Sequence, residues 1–132
     1  MRGGRVDLVC HSLGGLIART WLQLLGGARR VDRCIMLGTP VSGTYNAYWL
    51  TSRVGRELRP GSRLLQRLEA TQNAASAVRF SSIVAGSDNI VIPRVFSAAE
   101  GELVHVPDLG HTGLLFSPKV FRAVRTRLTA PD

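Results

Sequence analysis

The sequence predicts the α/β class with a parallel sheet, on three observations. Strand-like and helix-like patterns alternate along the chain. Two short apolar runs, Cys34-Ile35-Met36-Leu37 and Ser82-Ile83-Val84-Ala85, lack the in–out alternation of a half-exposed strand. Strands covered by helices on both faces read this way. Finally, Leu13, Leu16, Ile17, Trp21, Leu24 and Leu25 recur at helical spacing directly after the apolar run Val6-Asp7-Leu8-Val9.

In order, the elements are a strand over 5–10 and a helix over 13–25. Gly26-Gly27 stops that helix, since glycine is favoured just past a helix C-terminus. A strand over 33–38 follows, then a long variable segment over 39–77 in which Pro60-Gly61 separates two helical pieces. Strands over 80–85 and 102–106 and a helix over 117–128 complete the chain. At 132 residues, with no internal repeat, this is one domain's worth of sequence with a modest core.

The net charge of +8 invites a nucleic-acid reading, which the pattern does not support. Sixteen of the seventeen basic residues are arginine, and they are scattered. Their one concentration, at Arg53, Arg56, Arg59, Arg63 and Arg67, interleaves with Leu58, Leu64, Leu65 and Leu68 as the wet face of an amphipathic segment does. No zinc-finger spacing, aromatic RNA-binding pattern or helix-turn-helix signature accompanies it, so no specific nucleic-acid partner is expected. Weak attraction to anionic surfaces follows from the charge alone.

Cys10 and Cys34 fall near opposite ends of adjacent predicted strands. That stagger is expected to hold them beyond disulfide reach as buried free thiols. No His/Cys cluster has metal-ligand spacing, so neither a metal nor another cofactor is expected. No stretch approaches the length of a membrane span. Met1-Arg2-Gly3-Gly4-Arg5 has basic residues but no apolar run after them, so no signal peptide is expected in these residues. The location itself stays unknown from these residues, with the cytoplasm as the default.

The most informative residues are Cys10-His11-Ser12-Leu13-Gly14-Gly15, between the first strand and the first helix. A serine at a sharp strand-to-helix turn, flanked by small residues, is a nucleophile elbow. The turn forces Ser12 into strained backbone, and small residues at Gly14 and Gly15 let helix and strand approach. Cys10 stands where the G-x-S-x-G pattern has its first glycine, a departure that is still small.

With that context, Val6 to Leu16 resembles the nucleophile region of bacterial lipases and esterases of the α/β-hydrolase superfamily. Met36-Leu37-Gly38-Thr39-Pro40, with Gly43-Thr44 after it, is similar to the loop those lipases carry after the next strand. Leu109-Gly110-His111-Thr112-Gly113-Leu114-Leu115-Phe116-Ser117 resembles their catalytic-histidine segment. The resemblance runs from Val6 to Leu128 but covers only the C-terminal portion of the family's fold. There the elbow follows the fifth strand, whereas here it comes about ten residues after Met1. The fold expected is therefore a parallel-sheet α/β-hydrolase domain over 1–132, lacking the family's N-terminal strands, with a cap-like segment over 39–77.

Such a hydrolase needs nucleophile, acid and base in the chain order Ser, Asp/Glu, His. Ser12 is the expected nucleophile. Of the three histidines, His11 neighbours Ser12 in a tight turn where side chains diverge, and His105 lies within a strand. His111, in a glycine-flanked loop after a strand, is the expected base. Asp88 in Ala85-Gly86-Ser87-Asp88-Asn89 follows a predicted strand at the end where active sites of parallel sheets gather. It is the expected acid, with Asp108 as its rival; Asp7 and Asp32 sit at the wrong ends of their strands. The backbone N–H of Leu13 is the expected oxyanion donor at the helix start. The second donor belongs, by the resemblance, to a loop after the third strand that has no counterpart here.

Tyr45, Tyr48 and Trp49 are candidates to line an acyl pocket for an apolar ester. The resemblance thus implies a serine carboxylic-ester hydrolase working through an acyl-enzyme, of a kind often secreted at full length. Two alternatives stand beside it: a catalytically incompetent fragment or binding remnant, and a thioesterase or acyltransferase on the same fold. The strand at 6–10, unpaired on one edge, is expected to invite self-association or complementation by a partner chain.

Overall fold

The computed structural model describes residues 4–44, 47–48, 51–86, 101–107, 109–110 and 112–131. Four strands form one sheet in chain order: β1 (Val6–His11), β2 (Val31–Leu37), β3 (Arg79–Ala85) and β4 (Glu102–Val106). All three pairings are parallel. A parallel neighbour demands a crossover over a sheet face. Helix α1 (Leu13–Leu24) makes the first, and the short helices α2 (Arg53–Glu57) and α3 (Arg63–Ala70) lie in the second. Helix α4 (Pro118–Thr129) follows β4. The expected elements are therefore present, with β2 starting at Val31, earlier than the apolar run alone indicated, and Pro60-Gly61 falling between α2 and α3.

The continuous apolar character of β2 has a direct cause. Cys34 and Met36 point into one core with Ala18 and Leu22 of α1, Ala75 and Val78. Ile35 and Leu37 point the other way, into a second core with Ile83, Ala85, Val106 and Val120 of α4. Both faces of β2 are dry, so both sets of positions must be apolar.

A third cluster binds α3 to α1 through Leu16, Leu65 and Leu68. The arginines of α3, Arg63 and Arg67, stay on its exposed side, as the leucine–arginine interleaving predicts. One arginine breaks the surface pattern. Arg19 of α1 is 2% exposed, donates Nε–H to Gln23 Oε1 at 3.0 Å, and reaches the Leu68 carbonyl at 3.5 Å. Gln23 also donates to that carbonyl. A buried charge needs such partners to be tolerated at all.

The cover is uneven at β1. Among the described residues it pairs with β2 alone. Val6 and Val9 remain 42% and 48% exposed, and Ile17 and Leu25 of α1 are 62% and 71% exposed. No described helix is long and apolar enough to cross a membrane.

Candidate active site

Among the described residues four serines stand at helix N-termini, and one behaves differently. Ser52, Ser62 and Ser117 accept hydrogen bonds from the backbone N–H three residues on, capping α2, α3 and α4 at 3.1, 3.2 and 3.5 Å. That is the ordinary use of serine at this position. Ser12 makes no such cap to α1. Its backbone is held at φ 53 and ψ −124, and it is the one described non-glycine residue with positive φ. A non-glycine residue persists there only when its surroundings over-determine it, and such strain clusters at functional sites.

The surroundings that hold it can be named. Ser12 N–H donates to the Leu37 carbonyl at 2.8 Å, extending the β1–β2 ladder by one residue into the turn. The Ser12 carbonyl accepts from Gly15 N–H at 3.1 Å and from Thr39 Oγ1 at 2.9 Å. Thr39 itself is buried at the end of β2, so the Gly38-Thr39-Pro40 segment buttresses the elbow. Its side chain also dictates the glycine. A Cβ on Gly15 would stand 2.0 Å from Thr39 Oγ1, whereas one on Gly14 would meet only Cys10 Cβ at 3.9 Å. The close approach expected of both glycines therefore belongs to Gly15; space does not require glycine at 14.

Because Ser12 N–H is spent on Leu37, the next N–H available to a negative oxygen at this turn is that of Leu13, the first residue of α1. A helix N-terminus favours an anion there.

Cys10, two residues before the serine, corrects an expectation. Cys34 lies opposite Leu8 in register, and Cys10 lies two residues on, opposite Met36. Two residues along a strand return to the same face, so both thiols enter one core rather than staying apart. Both are free, and they share a hydrogen bond. That bond pulls Cys10 down to about 7, because a thiolate there is stabilised by the Cys34 S–H. Cys34 is pushed up, first by holding that proton and then by burial. Cys10 is only half-buried, in contrast to the buried thiol expected.

The C-terminal ends of the strands gather on one side. Ser12 ends β1, Gly38 and Thr39 leave β2, Gly86 leaves β3, and Leu109 and Gly110 follow β4. Gly38 N–H donates to Ile83 O at 2.9 Å and Gly86 N–H to Val106 O at 2.8 Å, so the ladder runs to the edge of this rim. Asp88, its rival Asp108, His111, Tyr45 and Trp49 lie outside the described residues. Gly86 stands two residues before Asp88, while Gly110 and Thr112 flank His111.

The remaining candidates separate by position. Asp7 and Asp32 bond to Arg33 and Arg5 at 3.2 and 3.1 Å, well before the strand ends. His105 is exposed on β4, and His11 closes β1 beside Leu37. Tyr48 is half-exposed, with the Arg59 guanidinium 4.9 Å from its ring centre. Among the described residues no group of three His, Cys, Asp or Glu side chains could hold a metal.

Parallel strands joined by helical crossovers, with a strained serine between the first strand and its helix, define the α/β-hydrolase fold, present here in part. Solved structures agree. A Bacillus licheniformis lipase, BlEst2, superimposes with a TM-score of 0.71 at 16% identity, over 97% of this chain and 67% of its own. The product of the Listeria innocua gene lin2722 gives 0.61 at 13% identity, over 98% of this chain and 59% of its own. An α/β-hydrolase superfamily epoxide hydrolase from hot-environment metagenomes gives 0.61 at 18%, over 98% and 69%. The chain thus spans roughly two thirds of the length of these structures. No protein-family model matches it, and no curated protein does.

Proposed function

We propose that this chain carries the nucleophile, acid and base of a serine carboxylic-ester hydrolase. One observation bears most of the weight: Ser12 alone of the four helix-leading serines holds strained backbone and makes no helix cap. His111 takes the hydroxyl proton as Ser12 Oγ attacks an ester carbonyl, and Asp88 holds the imidazole in the productive tautomer. Leu13 N–H receives the oxyanion at the start of α1. His111 then protonates the departing alkoxide, and water releases the acyl group from Ser12 by the same steps in reverse order. In sequence Asp88 follows β3 and His111 follows β4, strands whose C-terminal ends share a side of the sheet with Ser12, and this order supports these roles. An apolar acyl chain, with Tyr45, Tyr48 and Trp49 along its path, is the substrate this reading favours. The lipase among the solved structures supports the same class.

A fluorophosphonate probe tests the reading. It should label the protein at Ser12, and Ser12→Ala and His111→Ala should each abolish labelling, while His105→Ala should not. Labelling that survives in Ser12→Ala overturns the assignment. A panel of p-nitrophenyl esters beside a thioester and an anilide then separates ester hydrolysis from thioesterase and amidase chemistry.

A further inference from the structure

From Leu109 to Pro131 the chain contains no aspartate or glutamate, yet Lys119, Arg122 and Arg125 lie within it. All three are on the exposed side of α4, three residues apart, so that like charges stand side by side. Among the described residues none of the three has a carboxylate partner, whereas Arg127 is paired with Glu102 at 2.8 Å. Beside this stripe Leu115, Phe116 and Phe121 are 52%, 79% and 72% exposed. We propose that the outer face of α4, with the turn before it, docks the chain on an anionic lipid bilayer. Docking there is independent of the chemistry read at Ser12.

Burial elsewhere in the segment explains why these apolar groups face outward. Leu114 packs with Ile83, Ala85 and Val106 at the ends of β3 and β4, which pins the turn Thr112–Leu115 to the sheet. Leu115 and Phe116 follow it into solvent, and Ser117 caps α4 by accepting from Val120 N–H. Val120 takes the core position, so Phe121, one residue on, is turned about 100° from it. A helical side chain leans back over the preceding turn, which brings Phe121 toward Ser117 and Phe116. Two aromatic rings and a leucine therefore edge a basic stripe that holds no acid.

This pairing suits a bilayer. Basic groups meet anionic head groups, while aromatic and leucine side chains enter the boundary between head group and acyl chain. A second copy fits poorly, because two such stripes would face each other with like charge. A strand joining at β1 sits at the opposite edge of the sheet from β4 and leaves this face open. A nucleic-acid duplex matches the charge but offers Leu115 and Phe121 no apolar medium.

Flotation of the purified 132-residue chain tests this, with vesicles of phosphatidylcholine alone or mixed equally with phosphatidylglycerol. Binding to the mixed vesicles alone is expected, weakening as salt rises. The double variant Phe116→Gln with Phe121→Gln should lower the partition constant tenfold or more, and so should Arg122→Gln with Arg125→Gln. Arg63→Gln with Arg67→Gln removes the same charge from α3 and should lower it less than threefold. All these side chains are exposed, so thermal melts should match the unaltered chain. If the phenylalanine variant fails to fold, Phe116→Trp replaces it, and its emission should shift to the blue on adding the mixed vesicles. Equal loss in the α3 variant would reduce the effect to net charge and overturn the proposal, as would equal binding to phosphatidylcholine alone. A lipid-free dimer that the phenylalanine variant disperses would give the face to a second copy. Loss of duplex-DNA retention in that variant would give it to nucleic acid. Either result overturns the proposal.

Discussion

A single methyl group at position 15 tests how the elbow is built. With a Cβ placed 2.0 Å from Thr39 Oγ1, Gly15→Ala must displace either the helix or the buttress that holds the Ser12 carbonyl. Overpacking of this kind costs about 1–3 kcal/mol. Gly14→Ala meets only ordinary contact and gains helix propensity, so it should be neutral or stabilising by about 0.5–1 kcal/mol. Urea melts of the two variants should differ in that sense, and Thr39→Gly should recover part of the Gly15→Ala loss. Equal stabilities for the two alanine variants would show that Thr39 does not brace the turn. The Cys10 thiol supplies a second measurement. Its alkylation by iodoacetamide should rise with pH around a midpoint of about 7, and Cys34→Ala should move that midpoint upward by removing the S–H donor. A midpoint unmoved by Cys34→Ala would dissolve the pair. The Ser12 turn was legible in the sequence because a sharp strand-to-helix turn imposes small residue types on its neighbours. The thiol pair was not, because it depends on an interstrand register that no local pattern reports.

Among the elements, α1 does two things at once: it starts at the strained Ser12 turn and it grips α3. Leu16 meets Leu65 and Leu68, while Arg19 and Gln23 converge on the Leu68 carbonyl near the end of α3. A carbonyl in the last turn of a helix has no intrahelical partner, so these side chains satisfy a group that burial would otherwise penalise. Gln23→Leu should therefore cost about 1–3 kcal/mol in a chemical melt and raise amide exchange selectively across 63–75. A loss spread evenly over all elements would mean that Gln23 serves the general core instead. Elements and their order were readable in advance because β2 and β3 are dry on both faces and α1 and α3 are amphipathic. Arg19 was not readable: in a chain this rich in arginine, a buried one at a helical position looks like the exposed ones. What distinguishes it is a partner from α3, far away in sequence. The β2 boundary at Val31 was missed for a related reason. Asp32 looks like loop ahead of the strand expected from residue 33, and its ion pair to Arg5 lets the strand continue back to Val31.

For the molecule as a whole, the balance between its two edges matters most. On the α4 side Ile35, Leu37 and Ile83 are nearly inaccessible, and α4 reaches across β2, β3 and β4 to make them so. That cover stops short of β1. Val9 is left half-exposed, next to a strand edge with no described partner, and Ile17 and Leu25 add apolar surface on α1. An edge strand with apolar side chains and an open hydrogen-bonding edge is a template for another strand. We therefore expect the 132-residue chain to associate with a second copy through β1, concentration-dependently, and to melt at a higher temperature as it does so. Sedimentation velocity over a hundredfold concentration range reads the association directly. Val9→Lys should shift it toward monomer without loss of the cooperative melt, because a charge at the edge opposes pairing while Val9 contributes little to either core. The same titration bears on catalysis. If ester turnover per chain rises with association in the native protein and falls in Val9→Lys, the neighbour at β1 completes the site around Ser12. A monomer at every concentration, with turnover independent of it, would show that the exposed edge is closed to partners and that these 132 residues stand alone.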